Sequence, residues 1–261
     1  MRMVITMLIK ELKEISKNYV YLIAMLLPLL LTFVMSQGTI NYAPQPTSMP
    51  ITTTTTKPVS TYTGIQLASA SQFAVSELSF MLLMTSDLVA LSMFRERELH
   101  IWDRVNDKKG FITAKIIAHI IFAIAMIAFN MALYKILFNI AIPYSSTAAL
   151  ILLSLVATLF GICIGISSKT KSGLSGTVLM SVMTMGYFGG ALSLTSVLAN
   201  TKYMNQLMYI SPLTHTNQII YKSMLNIDTT YNLYTWIAIA SLLIITMVLI
   251  VVRRIKNGTV L

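Results

Sequence analysis

Charge is the scarcest resource in this chain. Only 11% of its 261 residues are Asp, Glu, Lys or Arg, against about 25% in an ordinary soluble domain. A chain that is also 56% hydrophobic cannot cover a water-facing surface with so few charges. The same apolar content excludes a disordered chain. Cysteine is nearly absent, and the single Cys163 excludes an intrachain disulfide framework and any multi-cysteine metal site. The three histidines, His100, His119 and His215, lie on separate segments without His-x-x-His or Glu-x-x-His spacing, so no metal centre is expected. Also missing are the phosphate-cradling Gly-x-x-x-x-Gly-Lys-Ser/Thr loop, the dinucleotide fingerprint, the Gly-x-Ser-x-Gly elbow and the His-Glu-x-x-His pair. An enzyme reading has no residues to stand on, and no cofactor is expected in the chain itself.

What is present is long apolar runs, with a mean hydropathy of +0.74. Six stretches match the roughly 17–25 residues of a transmembrane helix: Tyr19–Met35, Phe73–Met93, Phe111–Tyr134, Ala148–Ile166, Leu174–Leu198 and Tyr234–Val252. The expected fold is therefore an all-α polytopic membrane protein. The first run is longer than the apolar core of a signal peptide, about 7–15 residues, and no small-x-small cleavage site follows it, so it reads as retained. An even number of spans puts both termini on one side. Fifteen of the nineteen Lys and Arg fall in residues 1–18, 94–115, 167–173 and the tail after Val252. That bias predicts cytoplasmic termini. Nine of the twelve Tyr, with Trp236, lie in or beside the opposite segments, which suits an aromatic belt. The net charge of +10 is thus a topology signal, and nucleic acid is not an expected partner.

The connecting segments are informative. On a helical wheel, Arg2, Lys10, Lys13 and Lys17 fall within an arc of about 80°. Val4, Ile5, Leu8, Ile9, Leu12 and Ile15 lie opposite, interrupted only by Glu11. Residues 1–18 are expected to form an amphipathic helix in the membrane interface, with Ser16-Lys17-Asn18 bending into the first span. The outer loop 36–72 is Pro- and Thr-rich, with Pro44, Pro46, Pro50, Thr52 to Thr56 and Pro58, and reads as extended or mobile. The segment 94–110 mixes Arg95, Glu96, Arg97, Glu98, Asp103 and Arg104 with apolar Leu99, Ile101, Trp102 and Val105. The three-residue spacing of Leu99, Trp102 and Val105 predicts one face of a short helix that docks on a partner, with Trp102 as its anchor. Residues 199–232 are too polar to span and too apolar for a free loop. They predict two short outer or re-entrant helices separated at Pro212.

Within the spans, Glu77 and Asp87 are acids in a place where a central carboxylate costs about 2.5–3.5 kcal/mol. Both are candidates for an intramembrane polar substrate path; Glu77, near the outer end, reads alternatively as reaching the interface, and Asp87 alternatively as interhelical hydrogen bonding. Lys115 and His119 share a face at i,i+4, and Lys115 reads as reaching out to phosphate. Gly161-x-x-x-Gly165 and Gly186-x-x-x-Gly190 predict close helix contacts, within one subunit or between two.

Three motifs together resemble one family, the membrane (permease) subunits of ABC exporters with the ABC-2 (type V) fold, bacterial drug-export permeases among them. Lys10-Glu11-Leu12-Lys13-Glu14-Ile15 before the first span is similar to that family's elbow helix. Arg95-Glu96-Arg97-Glu98…Arg104, followed by Lys115, resembles its Glu-Arg-Glu-x-Gly-Thr-x-x-Arg-Leu…Gly-Lys signature. Ile210-Ser211-Pro212-Leu213-Thr214-His215 resembles the Ser-Pro-Leu after its fifth span. The chain departs from the pattern at His100-Ile101, where the family has Gly-Thr, at Val105 for Leu, and at Ala114 for Gly. The resemblance implies a coupling segment over 94–110 seated on a separate ATP-binding cassette subunit, which would carry ATP and Mg. It assigns coupling contacts to Glu96, Arg97, Glu98, Trp102 and Arg104. It also implies a second copy of the chain or a related permease in the same bilayer, with substrate moving through the seam. Two other classes stay open on the residues alone: an ion-coupled carrier using Glu77 and Asp87, and a peptide-sensing or immunity protein. The expected location is a bacterial cell membrane.

Overall fold

The computed structural model describes residues 2–40, 69–192, 202–225 and 231–256. Every regular element among them is helical: α1 (Arg2–Lys17), α2 (Tyr19–Ile40), α3 (Ser69–Glu98), α4 (Ile101–Arg104), α5 (Lys108–Phe138), a 3-10 turn at Tyr144–Ser146, α6 (Thr147–Ser167), α7 (Lys171–Gly189), α8 (Lys202–Met208), α9 (Pro212–Leu225) and α10 (Leu233–Lys256). The Pro/Thr-rich stretch lies outside the described residues. The two ends of the 36–72 loop are helical, at 36–40 in α2 and 69–72 in α3. The fifth predicted span corresponds to α7, and its residues 193–198 are not among those described.

Among the described residues, four helices (α3, α5, α6 with its preceding 3-10 turn, and α10) are long and apolar enough to cross a membrane, and α1 with α2 makes a fifth if that bent pair is one span. The bend is 63°, and Asn18 sets it. Its side-chain oxygen accepts from the Val20 amide at 3.0 Å, satisfying one of the donors that a new helix start leaves open. Helix α7, where Ser, Gly and Thr dilute the apolar content, is not among those four helices.

The bundle is built around α3, which packs on α2, α6, α7 and α9. Ala74, Val75, Leu78, Leu82, Val89 and Met93 on this helix are fully enclosed. The closest approach is to α6. A Cβ on Gly161 would lie 2.4 Å from the Ser86 carbonyl oxygen, and one on Gly165 would lie 2.8 Å from that of Ala90. This glycine pair therefore serves contact within the chain. The other pair divides its roles. Gly186 admits the Phe80 ring of α3, while Gly190 ends α7 in the left-handed conformation at φ 87°.

Side chains from neighbouring helices bond backbone carbonyls in α2 and α7. Pro28 in α2 has no amide to donate to the Ala24 carbonyl, and in the same turn Asn130 of α5 donates to the Met25 carbonyl at 3.0 Å. Helix α7 ends against α9. There Ser211, Thr214 and Asn217 donate to the carbonyls of Met185, Phe188 and Gly189 at 3.1, 3.1 and 2.8 Å. Pro212 opens α9, as suits a first helical position. His215 stacks on Trp236, with ring centroids 5.8 Å apart, and contacts Tyr231. At the basic end, the Cys163 thiol donates to the Met247 carbonyl at 3.3 Å, tying α6 to α10.

Candidate functional site

Two opposite charges from distant parts of the sequence find each other. Glu11 is the acid on the apolar side of α1, and Lys115 lies one to two turns inside α5. The structure buries both, at 3% and 0% exposure. Lys115 Nζ donates to Glu11 Oε2 at 2.9 Å and to Ser92 Oγ at 2.9 Å. It also lies 2.9 Å from Glu96 Oε2, an ion pair rather than an aligned hydrogen bond. Lys10 closes the group, 3.2 Å from Glu96 Oε1 and 3.5 Å from Glu14. Burial alone would raise the Glu11 carboxyl, but the Lys115 ammonium outweighs it and holds Glu11 below its ordinary value. Three helices are thus clamped through one buried ammonium. The Lys115 carbonyl also accepts from His119 Nδ1 at 2.9 Å, and His119 Nε2 in turn accepts from the Tyr21 hydroxyl at 2.9 Å, extending the link into α2.

Among the described residues, Glu11, Glu14 and Glu96 are the carboxylates close enough to share a cation. Lys115 and Lys10 already supply the positive charge there.

The tip of α3 is held from inside. Arg97 Nη1 lies 2.8, 2.9 and 3.0 Å from the carbonyls of Gly165, Ile166 and Ser168. A guanidinium at these carbonyls complements the negative end of α6. The chain then reverses at His100, whose φ is 52°. This is the left-handed region that glycine enters without strain, and it is where the resembled signature has Gly. Helix α4 is one turn long. Trp102 is 1% exposed and packs edge-on against Phe111 at 5.9 Å, with the Lys108 ammonium 5.4 Å from its ring centroid. Asp107 caps α5 by accepting from the Gly110 amide at 2.8 Å.

This geometry corrects the single docking face expected for 94–110. Helix α3 runs on to Glu98. The left-handed residue at His100 then turns the chain, so Leu99 is 53% exposed while Trp102 points inward. Glu96 also faces inward. Glu98, Leu99, His100 and Arg104 are exposed around the turn, and Arg95, Asn106, Asp107 and Lys109 are exposed to either side of it. Lys115, read as reaching for phosphate, is instead enclosed.

The two intramembrane acids are not brought together. They are ten residues apart on α3, about 15 Å along the axis. Glu77 is buried near Tyr134 and Tyr221, whose phenols lie within its field. Asp87 is half-buried, beside Ser175 of α7.

The ion clamp escaped sequence reading because its members are far apart in the chain. The available signal was the pair of misplaced opposite charges, Glu11 on an apolar arc and Lys115 inside a span.

No curated protein sequence and no solved structure matches the chain. A family model does, over residues 2–225. That range includes α1, the clamp, the tip of α3 and α9. On this match the chain belongs to the ABC-2 type transporter family and is a multi-pass membrane permease component of an ABC transporter, not itself catalytic.

Proposed function

We propose that the chain is the transmembrane subunit of an ATP-driven exporter, moving an amphipathic or lipophilic substrate (a drug, an antimicrobial peptide or a lipid-linked molecule) out of a bacterial cell. ATP and Mg are handled by a separate ATP-binding cassette subunit, the kind of partner with which this family normally works. The observation that carries the reading is the exposed, charged tip formed by Glu98, Leu99, His100 and Arg104 on the end of the central helix. A tip fixed to α1, α5 and α6 by Glu96, Arg97 and Trp102 can transmit a push without yielding. In this reading Glu98 and Arg104 touch the ATPase. Glu96, Arg97 and Trp102 are positioning residues behind them. Positive charge concentrated at this end favours a cytoplasmic orientation for it and for both termini.

A second copy or a related permease completes the pathway. Support comes from α7, which leaves Leu179, Met180, Met183 and Tyr187 exposed and has open space around Gly176. Asp87 lies behind that face, through Ser175, and is placed to influence substrate there. The separation of Glu77 from Asp87 counts against an ion-coupled carrier built on that pair.

The test is reconstitution with the ATPase subunit that co-purifies from the native membrane. Glu98→Lys combined with Arg104→Glu should leave the permease folded and reduce ATPase capture and transport together. Transport by this variant at the native rate removes the coupling assignment. Transport driven by an ion gradient without ATP sinks the exporter reading.

A further inference from the structure

A groove of about 1020 Å³ runs between the α1–α2 bend and the C-terminal half of α3. Its wall includes apolar Ile15, Tyr21, Leu88, Leu91 and Phe94, and besides Lys10 four cations border it: Lys13 and Lys17 from α1, Arg95 from α3 and Lys171 at the start of α7. Three of the four lining acids are already engaged. Glu11 and Glu96 meet Lys115, and Glu96 and Glu14 meet Lys10; the fourth, Glu98, is exposed at the tip of α3. Among the described residues, none of the four bordering cations forms an ion pair. The apolar wall continues along α2 into the exposed Val20, Leu22 and Ile23, a surface suited to lipid. Tyr19, 82% exposed, stands at the mouth, where an interfacial aromatic is favoured.

We propose that this groove holds one anionic phospholipid, with its phosphate among Lys13, Lys17, Arg95 and Lys171 and an acyl chain along Val20, Leu88 and Leu91. The chemistry selects this occupant. Free cations on long apolar stems reach toward a headgroup phosphate, and the apolar wall beside them takes the chain that a soluble anion lacks. A lipid seated there bridges α1, α3 and the start of α7, joining the elements around the ion clamp from outside. The site requires neither ATP nor an ATPase, so it stands apart from the proposed function.

The full-length chain, purified in neutral detergent, is mixed with equal phosphatidylglycerol and phosphatidylcholine, and the retained lipid is measured by native mass spectrometry. The expected result is preferential retention of phosphatidylglycerol. Each Lys→Gln or Arg→Gln change among the four cations should lower that retention about fivefold, the worth of one basic residue near an anionic headgroup. Lys135→Gln, at the opposite end of α5, should leave it unchanged. Equal retention of both lipids overturns the proposal. So does wild-type retention by the variant lacking all four cations, or an equal loss in Lys135→Gln. Displacement of phosphatidylglycerol by millimolar inorganic phosphate identifies a free-phosphate site instead and overturns the lipid assignment. If the fourfold variant loses its helical circular dichroism, Lys13→Gln with Lys17→Gln, on the exposed side of α1, decides the question by the same readout.

Discussion

The two ends of the bundle solve the same problem with different chemistry. At the basic end, α1, α3 and α5 are joined by buried ions, with Lys115 between Glu11 and Glu96. At the opposite end, α7 and α9 are joined by neutral groups, the Ser211, Thr214 and Asn217 side chains on open carbonyls. A neutral hydrogen bond loses one modest contact when a partner is removed. A buried ion whose partner is removed is left uncompensated in a low dielectric, which costs several kcal/mol. The basic end is therefore the more brittle join and the more cooperative one: its helices hold together or separate together. That behaviour suits the end proposed to receive force from an ATPase.

The sharpest way to break the contrast is Lys115→Met. It leaves Glu11 and Glu96 facing each other without the ammonium, and the expected loss is about 3–5 kcal/mol, read as a lower unfolding temperature in detergent. Replacing Lys115, Glu11 and Glu96 together with apolar residues should recover most of that stability. If the triple variant is as unstable as Lys115→Met, uncompensated charge is not the cause.

Acidification tests the same join more gently. Glu11 titrates below its unfolded value of about 4.5, so the folded state binds fewer protons than the unfolded one. Its contribution is complete above that value and is lost as pH falls through the lowered folded value. Unfolding midpoints measured from neutral pH downward should fall in this window for wild type and fall less for Glu11→Gln.

At the neutral end, Asn217→Leu should cost only about 0.6–1.7 kcal/mol, the scale of hydrogen bonds within membranes. A loss equal to that of Lys115→Met would erase the distinction between the ends. The smallest expected effect is a gain. His100→Gly relieves a left-handed residue and should stabilise the tip of α3 by up to about 1 kcal/mol. Hydrogen exchange at the Leu99–Arg104 amides would show it as increased protection.

Much of this architecture was legible in sequence. The first four predicted spans and the last coincide with helices, because twenty apolar residues in a row have few other uses. Asn18 marked the bend into the first span, and Pro212 marked the start of α9, since each answers a local backbone need. Trp102 and Leu99 were misjudged for a local reason too. Their three-residue spacing means one face only if the helix continues, and a single positive φ at His100 ends it. Lys115 was misjudged for a distant reason, because its partner Glu11 lies 104 residues away and no periodicity within α5 reports it. The hydroxyl bonds to α7 are hidden in the same way, because Ser211 and Thr214 each lie 26 residues from the carbonyl they meet.

The solitary thiol has a practical consequence. Cys163 is 8% exposed, beside a cleft of about 630 Å³ between α6, α7 and α10. With no second cysteine in the chain, a thiol-reactive dye on the native permease can label one place only. Its rate of attachment becomes a clock for how often α6 and α10 part, readable during turnover without introducing a single foreign residue.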